Sequence, residues 1–443
     1  MVKITQNVEV AYEVESTYSD PADSTLSHLG LLDTFDPRSV EMNITPVPSI
    51  GQSTDPFHAS GPIAVTVPIK VACQGDGWQQ LLGRAIGKTD VYGSVDAPHS
   101  LTTNADSIAV LAKEGTDYTL VTGVVPNEVT LTADYTTGGY ITCEANCTGF
   151  YSQDATEANA NFSNDGKLLV DDYSGVAFPS APTADPLLPT DLTVSYGATT
   201  DADGLQINRT AGHYVEIGER YMRIYDTAGT LDSGYASGDH AALLADGVVD
   251  LDHSDTETIT ELVAVLNAGV TSSATANAGS ADPQNLLKGI YKMTGSNVDI
   301  PVVADAAPTL TSFTNLKTVA LKIANNNTAI PGKVTRGDGS PDVTAWLANK
   351  AISRGKADIT LDLTMTAEDE TLYDKYVAGT TIPLIRLDFG TSGSVALTNG
   401  TITSFSRPLT PGGEIVDTMS IKFRGAGDYK NFSSYAISAA WTL

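Results

Sequence analysis

The residues that could do chemistry are scattered singly along this sequence. The six histidines are His28, His58, His99, His213, His240 and His253. None lies within four residues of another, whereas zinc sites of hydrolases need paired ligands at short spacing. Neither a G-x-S-x-G turn, a P-loop nor a dinucleotide-binding glycine motif occurs. The sequence therefore predicts no catalytic residue and no cofactor.

The densest polar cluster joins Asp250, Asp252, His253 and Asp255. Its three aspartates are weak candidates for a Ca²⁺ site, because carboxylate oxygens are the ligands that this ion prefers. The spacing lacks the central glycine and the terminal glutamate of an EF-hand loop. A solvated turn that caps the following helix is the favoured interpretation.

The three cysteines, Cys73, Cys143 and Cys147, form no metal-binding motif. Cys143 and Cys147 are four apart on a predicted strand, which puts them roughly 13 Å apart and beyond the reach of a disulfide unless the strand bends. All three are predicted to be buried as small apolar side chains.

The charge of the chain is strongly acidic: 53 acidic and 25 basic residues give a formal net charge of -28. No run of lysine and arginine is present, so direct binding to nucleic acid is disfavoured. An acidic surface would let DNA slide past without sticking, and it is also typical of proteins from a halophilic host. The start of the chain lacks a signal peptide, and no apolar run approaches the ~18 residues of a membrane helix. We expect synthesis and folding in the cytoplasm and no membrane contact.

Alternation of apolar and polar residues is the dominant pattern among the elements that would position these side chains. It is clearest in Asp358–Met365 and returns in the segments after Ile385, Val395 and Met419. An earlier block between Ile63 and Thr148 has the same pattern. Gly-rich or Asn-Gly turns are predicted between the strands, among them a hairpin turn at Asn399-Gly400. The two blocks are interpreted as the two halves of one antiparallel sandwich.

Each half carries one short helix. The first is predicted to be capped by Asp76 and ended by Gly87, and the second to be capped by Thr366 and ended by Gly379. Both should pack on a sheet.

Between the halves, residues 161–305 are rich in Ala, Asp, Ser, Thr and Gly and are predicted to be an inserted α+β or β-rich domain. Its best-marked helix has a capping box of Ser254 and Glu257 and stops at Gly269. Further helices are predicted after Asp282-Pro283 and, beyond the insertion, after Ser340-Pro341.

The order of these elements resembles the major tail tube proteins of tailed bacteriophages and archaeal tailed viruses. The matching stretches of the first block are Gly61-Pro62, Gly77–Gly87, His99–Thr102 and Tyr118–Leu131, the last resembling a strand-turn-strand. Those of the second block are Asp358–Met365, Thr371–Gly379 and Gly412–Ile415. The resemblance assigns residues 56–160 and 306–443 to a tube-type β-sandwich or barrel-like core with short packing helices. It leaves 1–55 as an N-terminal arm and 161–305 as an insertion outside the tube.

The resemblance implies a structural virion protein without catalytic residues, whose hexameric rings stack around a channel that conducts DNA. If the fold were duplicated, the rings would be pseudo-hexameric. Other tail proteins, namely the tape measure, terminator and baseplate, are the implied partners, and DNA would pass without specific binding. Candidate channel-facing residues are Glu128, Asp134, Asp358 and Asp362, although an ordinary solvated strand face explains each of them equally well.

Two alternatives stay open. A secreted or cell-surface β-domain protein, such as an adhesin or an S-layer-like module, would share the acidic, Thr-rich strands. A tail component of lower copy number, such as a terminator or baseplate protein, would share the sandwich.

Overall fold

The structure is a computed structural model. It describes residues 8–17, 20–21, 26–35, 40–47, 57–87, 107–114, 117–149, 151–154, 178–197, 199–269, 274–304, 310–334, 346–353, 355–367, 370–409, 413–425 and 432–441.

The described residues form strands and only short helices, which confirms the predicted mainly β fold. The first group of strands is β1 (Val8–Thr17), β2 (Asp20–Pro21), β3 (Ser27–His28), β4 (Leu32–Phe35), β5 (Val40–Val47), β6 (Phe57–Ala72), β7 (Ile108–Glu114), β8 (Asp117–Asp134), β9 (Thr142–Gly149) and β10 (Tyr151–Asp154). The second group is β11 (Thr193–Gly197), β12 (Thr199–Asn208), β13 (Tyr214–Ile217), β14 (Tyr221–Tyr225), β15 (Leu243–Ala245), β16 (Val248–Asp250), β17 (Ala274–Ala276), β18 (Gly289–Lys292) and β19 (Asn297–Ala304). The third group is β20 (Thr311–Ser312), β21 (Leu316–Ala324), β22 (Thr328–Val334), β23 (Trp346–Ser353), β24 (Asp358–Thr366), β25 (Ile382–Asp388), β26 (Gly393–Ser406), β27 (Val416–Phe423), β28 (Phe432–Ser434) and β29 (Ile437–Trp441). The α-helices are α1 (Gly77–Ile86), α2 (Ile259–Gly269) and α3 (Thr371–Ala378).

One long antiparallel sheet runs through the molecule. Its neighbours are, in order, β11, β25, β26, β27, β24, β21, β8, β9 and β6, with β4 and β5 along the far side of β6. The first part of β8 also pairs with β7 and β10, and β7 pairs with β1. We call this long sheet the main sheet.

The main sheet contains the same unit twice. In the first unit, β6 pairs with β9, β9 with β8, β8 with β7 and β7 with β1. In the second, β24 pairs with β27, β27 with β26, β26 with β25 and β25 with β11. A helix follows the first-named strand in each, α1 after β6 and α3 after β24. We call residues 8–154 the first repeat, and residues 193–197 with 310–441 the second repeat.

The first strand pair of each repeat has the same register, residue by residue. In the first repeat Val65 lies opposite Gly149 and Ala72 opposite Thr142. In the second Ile359 lies opposite Phe423 and Thr366 opposite Val416, again without a register shift between them. Both β8–β9 and β26–β27 carry a register shift at the corresponding place, after Pro126 and after Ile402.

A left-handed residue lies at the corresponding point of the long strand in each repeat. Gly123 has φ 63° in β8, and Asn399 has φ 55° in β26. Both strands continue through this point, so the strand-turn-strand predicted within Tyr118–Leu131 and the hairpin turn predicted at Asn399-Gly400 are wrong. A single left-handed residue bends a strand without reversing it, and sequence alone does not distinguish the two outcomes.

The duplication changes three predicted boundaries. The two blocks share one apolar core, but each is a full copy of the unit and not half of a sandwich. Segment 1–55 is not merely an arm, because β1 pairs with β7 and its Val10 and Tyr12 lie in the core. The predicted insertion 161–305 includes β11, which belongs to the second repeat.

The inserted region, residues 199–304, has a core of its own. It contains the three-stranded sheet β17-β12-β19 and the sheet formed by β15, β16, β14, β13, β18 and β28. The apolar cluster between them includes Ile207, Leu262 and Ile300. The strand β28 comes from the second repeat and pairs with β18, so a β-ladder connects the two.

The predicted cap residues are shifted in two helices. Thr366 ends β24 and the residue that precedes α3 is Glu370, although Gly379 ends the helix as expected. In α2 the capping box is formed by Thr258 and Glu261, one turn after the predicted pair, because the backbone N–H of Thr258 donates to Glu261 and that of Glu261 donates to the Thr258 hydroxyl.

Two predicted helices are wrong. The segment after Ser340-Pro341 contains β23, which pairs with β22 in a hairpin, so its apolar residues serve a strand. The segment after Asp282-Pro283 makes one 3₁₀ turn, Pro283–Asn285, and then enters β18. A short apolar run does not distinguish a helix from a strand without its partners.

Candidate functional site: the polar face of the main sheet

Alternation gives the central strands one buried face and one polar face. In β8, β21 and β24 the buried residues are Val129, Leu131, Val319, Leu321, Ile323, Ile359, Leu361 and Leu363. Successive side chains of a strand point to opposite faces, so the intervening residues form a polar face on the other side. We call this surface the polar face.

The four candidate channel residues all lie on the polar face. Ala324 of β21 is opposite Glu128 on one side and opposite Asp358 on the other, so these two acids lie in one row across three strands. Asp362 is opposite Ala320, and Asp134 is opposite Thr318, in further rows of the same face. The structure thus brings together residues that are more than 200 positions apart in sequence.

Lysines that the sequence analysis did not single out neutralise part of this acidic charge. The Lys322 ammonium lies 2.8 Å from the Glu128 carboxylate, and the Lys422 ammonium lies 2.7 Å from that of Asp358. The hydrogen bond from Lys422 holds the pKa of the Asp358 carboxyl below its usual value. Both lysines occupy polar positions in strands of alternating polar and apolar residues, so the same sequence pattern predicts that they lie on this face.

Asp134 has a local role at the end of β8. It accepts hydrogen bonds from the backbone N–H and the hydroxyl of Thr136, and these lower its pKa. The carboxylate therefore closes the turn after the strand, as Asp side chains commonly do.

The cross-strand row next to Glu128 and Asp358 is largely threonine and lysine. In order across the strands it contains Lys70, Glu144, Thr130, Lys322, Thr360, Lys422 and Thr401. Rows of this kind are stabilised by cross-strand contacts between β-branched and oppositely charged side chains. The polar face is thus a mixed-charge surface.

The candidate metal ligands have other partners. Asp250 is buried and accepts two hydrogen bonds from Arg220, and Asp255 lies within 4 Å of the imidazoles of His240 and His253. Burial raises the pKa of the nearby Asp252 carboxyl. Within the described residues no group of three or more His, Cys, Asp or Glu side chains is arranged to hold a metal ion.

The three cysteines are buried free thiols, in agreement with the sequence-based interpretation. Burial raises the pKa of the Cys143 thiol to about 12, and the pKa values of Cys73 and Cys147 are also raised. A thiol that is shielded from solvent and stays protonated is unreactive at neutral pH.

A buried ionic cluster attaches the inserted region to the second repeat. Glu219 and Lys288 of the inserted region and Arg386 of β25 are all buried. The Arg386 guanidinium donates to the Glu219 carboxylate, whose other oxygen lies 3.5 Å from the Lys288 ammonium. The hydroxyl of Ser394 also donates to Glu219. These contacts require an acid and two bases that no short-range sequence pattern identifies.

In the parts of the chain that the structure describes, no helix is long and apolar enough to cross a bilayer.

Comparisons with known proteins give limited likeness. No protein-family model matches the chain, and no curated protein matches its sequence. Among solved structures, it is similar to a chain in the "tail of empty GTA particle computed with helical refinement, C6 symmetry", with 16% identity, a TM-score of 0.20, and coverage of 30% of this chain and 87% of that one. A chain in the "virion of native gene transfer agent (GTA) particle" gives 14% identity, a TM-score of 0.20, and coverage of 30% and 89%. At this TM-score the likeness carries no argument about function.

Proposed function

We propose that this protein is the major tail tube subunit of a tailed virus, and that its rings stack around a channel through which DNA passes. The observation that carries the proposal is the junction of the two repeats. Residues 128–134 of β8 pair with residues 318–324 of β21, which joins two copies of one unit edge to edge in a single sheet. A strand edge that accepts another copy of the same unit is an assembly surface.

The duplication favours the pseudo-hexameric form of the ring. A contact between one edge of a unit and a different edge of its copy is heterologous, and such contacts close into a ring when the rotation between copies allows it. Since each chain supplies two repeats, a ring of six repeats contains three chains.

The polar face is the proposed channel lining, with Glu128, Asp134, Asp358 and Asp362 on it. Its lysines Lys322 and Lys422 are bound to carboxylates, so they offer little free positive charge to DNA phosphates. DNA would therefore slide along the face without specific contacts. The acidic overall charge, which reaches -28 per chain, adds repulsion to this.

The remaining parts of the proposal follow from this role. The inserted region lies outside the tube. The partners at the tube ends are the tape measure, terminator and baseplate proteins. Assembly takes place in the cytoplasm of a halophilic host. The protein is structural and has no enzymatic step.

Negative-stain electron microscopy of the purified protein at high and low salt tests the proposal. Stacked rings or tubes with a central channel are the expected result. Particles that stay monomeric in every condition, including in the presence of the other tail proteins, would falsify it and favour a surface-domain protein. Copy number in purified virions separates a tube subunit, which is abundant, from a terminator or baseplate protein.

A further inference from the structure

The internal junction between β8 and β21 shows which strand can pair with the second half of β8. β9 occupies one side of β8, and β21 of the second repeat occupies the other over Glu128–Asp134. The pairing places Glu128 opposite Ala324 and Asp134 opposite Thr318. The edge of the first repeat is therefore closed by the second.

The corresponding edge of the second repeat is open. By register, Thr401–Ser406 of β26 corresponds to Val125–Thr130 of β8. Within the described residues, Thr401–Ser406 pairs with β27 alone, and the side that β21 covers in β8 has no strand beside it.

The counterpart of β21 in the first repeat is formed by β4 and β5, and its outer edge is also open. Leu32–Phe35 of β4 corresponds to the start of β21. β4 begins opposite Val71 and β21 begins opposite the equivalent residue Met365, and both pairings have a register shift one residue later. In the described part of the chain, β4 and β5 pair with β6 alone. Each chain thus presents both halves of a junction that it also makes internally.

The helices give a second, independent sign of a missing neighbour. The face of α1 toward the second repeat is covered: Trp78 packs 5.2 Å from both Phe389 and Trp441, and the Gln79 amide donates to the Ser392 carbonyl. Accordingly Gln79 is only 4% exposed.

On α3 the counterpart of Trp78, Leu372, is buried in the core, but the positions beside it are uncovered. Tyr373, Tyr376 and Val377, which occupy the positions of Gln79, Leu82 and Gly83, are exposed, Val377 to 66%. Tyr373 and Tyr376 lie against Phe405 of the open edge of β26, with ring centroids 5.5 and 6.1 Å apart. The open strand edge and the exposed helix face therefore form one continuous surface.

Apolar side chains at the open edge complete the comparison. Ala133, three residues beyond Thr130, is fully buried beside Val319 at the internal junction. Leu409, three residues beyond Ser406, is 75% exposed. An exposed leucine just beyond the open strand, together with two exposed tyrosines packed on that strand, is typical of a protein interface.

We propose that this surface binds the first repeat of a second copy of the chain. β4 and β5 of that copy lie beside β26, and the adjoining ends of its β7 and β8 cover α3, as the adjoining ends of β25 and β26 cover α1. At the internal junction Glu128 lies opposite Ala324. Ser404 is the counterpart of Glu128, and Glu41 is the counterpart of Ala324. Ser404 is therefore expected to lie opposite Glu41 of the next chain. The inference deepens the proposed function, on which it rests for the closure of the contact into a ring.

Engineered disulfides test the contact, since facing residues of paired strands have Cα atoms about 4.5–5.5 Å apart, within disulfide reach. Ser404→Cys and Glu41→Cys are made in separate chains and mixed under oxidising conditions. We expect one covalent dimer from the mixture and none from either variant alone. Glu128→Cys with Ala324→Cys in one chain is the matched control and should give an intrachain disulfide at the internal junction. A control that cross-links while the mixture yields no dimer would overturn the inference.

The variant with both Ser404→Cys and Glu41→Cys in one chain separates this inference from the proposed function. A ladder that stops at three chains supports both. An unlimited ladder supports the contact but contradicts the closed ring. Tubes in the microscope without any cross-link at these positions support the function and contradict the contact.

A charge placed on the surface provides a test that does not depend on disulfide geometry. Leu409→Glu should abolish rings and tubes, because it puts a charge where the next chain must lie. Leu188→Glu is the control, since Leu188 is also exposed, to 43%, and belongs to none of the strands β4, β5 and β26. Assembly of the Leu409→Glu variant at parental levels would count against the inference.

Discussion

Glu219 holds two buried cations at the contact between the inserted region and the second repeat. Glu219→Gln leaves Arg386 and Lys288 buried together without the carboxylate that contacts both, whereas Arg386→Ala leaves Glu219 paired with Lys288. We expect Glu219→Gln to lower the free energy of unfolding by about 3–5 kcal/mol, and Arg386→Ala to lower it less. Urea denaturation measures both.

Glu128→Gln is the control for that comparison. Its partner Lys322 is 46% exposed, so loss of the ion pair should change the free energy of unfolding by at most about 1 kcal/mol. Equal losses of unfolding free energy for Glu219→Gln and Glu128→Gln would contradict the expectation that the buried ion pairs contribute more than the exposed one.

The buried thiols predict a loss of stability in alkali. The folded protein keeps the Cys143 proton up to a pKa of about 12, whereas an unfolded thiol loses it near 8.5. Between these values the folded state binds more protons, so stability is intact below about pH 8.5 and falls as the pH rises toward 12. The Cys143→Ala, Cys147→Ala variant should lose less stability than the parent between pH 8.5 and 10.5. Identical pH slopes in urea denaturation would contradict this cause.

At the scale of the element, the bend in each long strand depends on its left-handed residue. Gly123 has φ 63°, and its backbone N–H donates to the buried Glu15 carboxylate at 2.9 Å. Gly123→Ala should cost about 1–2 kcal/mol, because a Cβ disfavours this conformation. Asn399→Gly, at the equivalent point of β26, should be tolerated since glycine adopts positive φ freely. Thermal denaturation of the two variants checks the contrast, and equal destabilisation would argue against a conformational origin.

At the scale of the whole molecule, the insertion is expected to be dispensable for tube formation. It lies between Gly197 of β11 and Thr311 of β20, and the facing pairs Ser195–Ser312 and Tyr196–Thr311 place the two ends close together. Replacing residues 199–309 by a short Gly-Ser linker, with Arg386→Ala to remove its stranded charge, should still give tubes by electron microscopy. The first repeat has Leu111 at the corresponding position of β7, because Leu111 lies opposite Leu120 as Arg386 lies opposite Ala396. An apolar residue at this position is therefore compatible with the unit.

Loss of all assembly by this deletion variant, while circular dichroism shows that it remains folded, would contradict a position of the insertion outside the tube. The variant with Arg386→Ala in the full-length chain is the control for the substitution itself.

The amino-acid sequence by itself determined the class of the fold and the faces of its strands. Period-two alternation in Asp358–Met365 reports which side chains are buried, because that requirement is local to the strand. The same pattern placed Asp358 and Asp362 on the solvent side, and Gly87 and Gly379 marked the ends of two helices. Local conformational preferences explain each of these successes.

Only the tertiary structure decided which strands are neighbours. The duplication is carried by pairing registers, and the two repeats conserve apolar positions with different residues, such as Val65 and Ile359. Likewise, Ser340-Pro341 begins a segment whose apolar residues suit a helix or a strand until β22 supplies the partner. Hydrogen bonds between distant strands are non-local, so the joined repeats, the polar face and the open edges become visible only once the chain is folded.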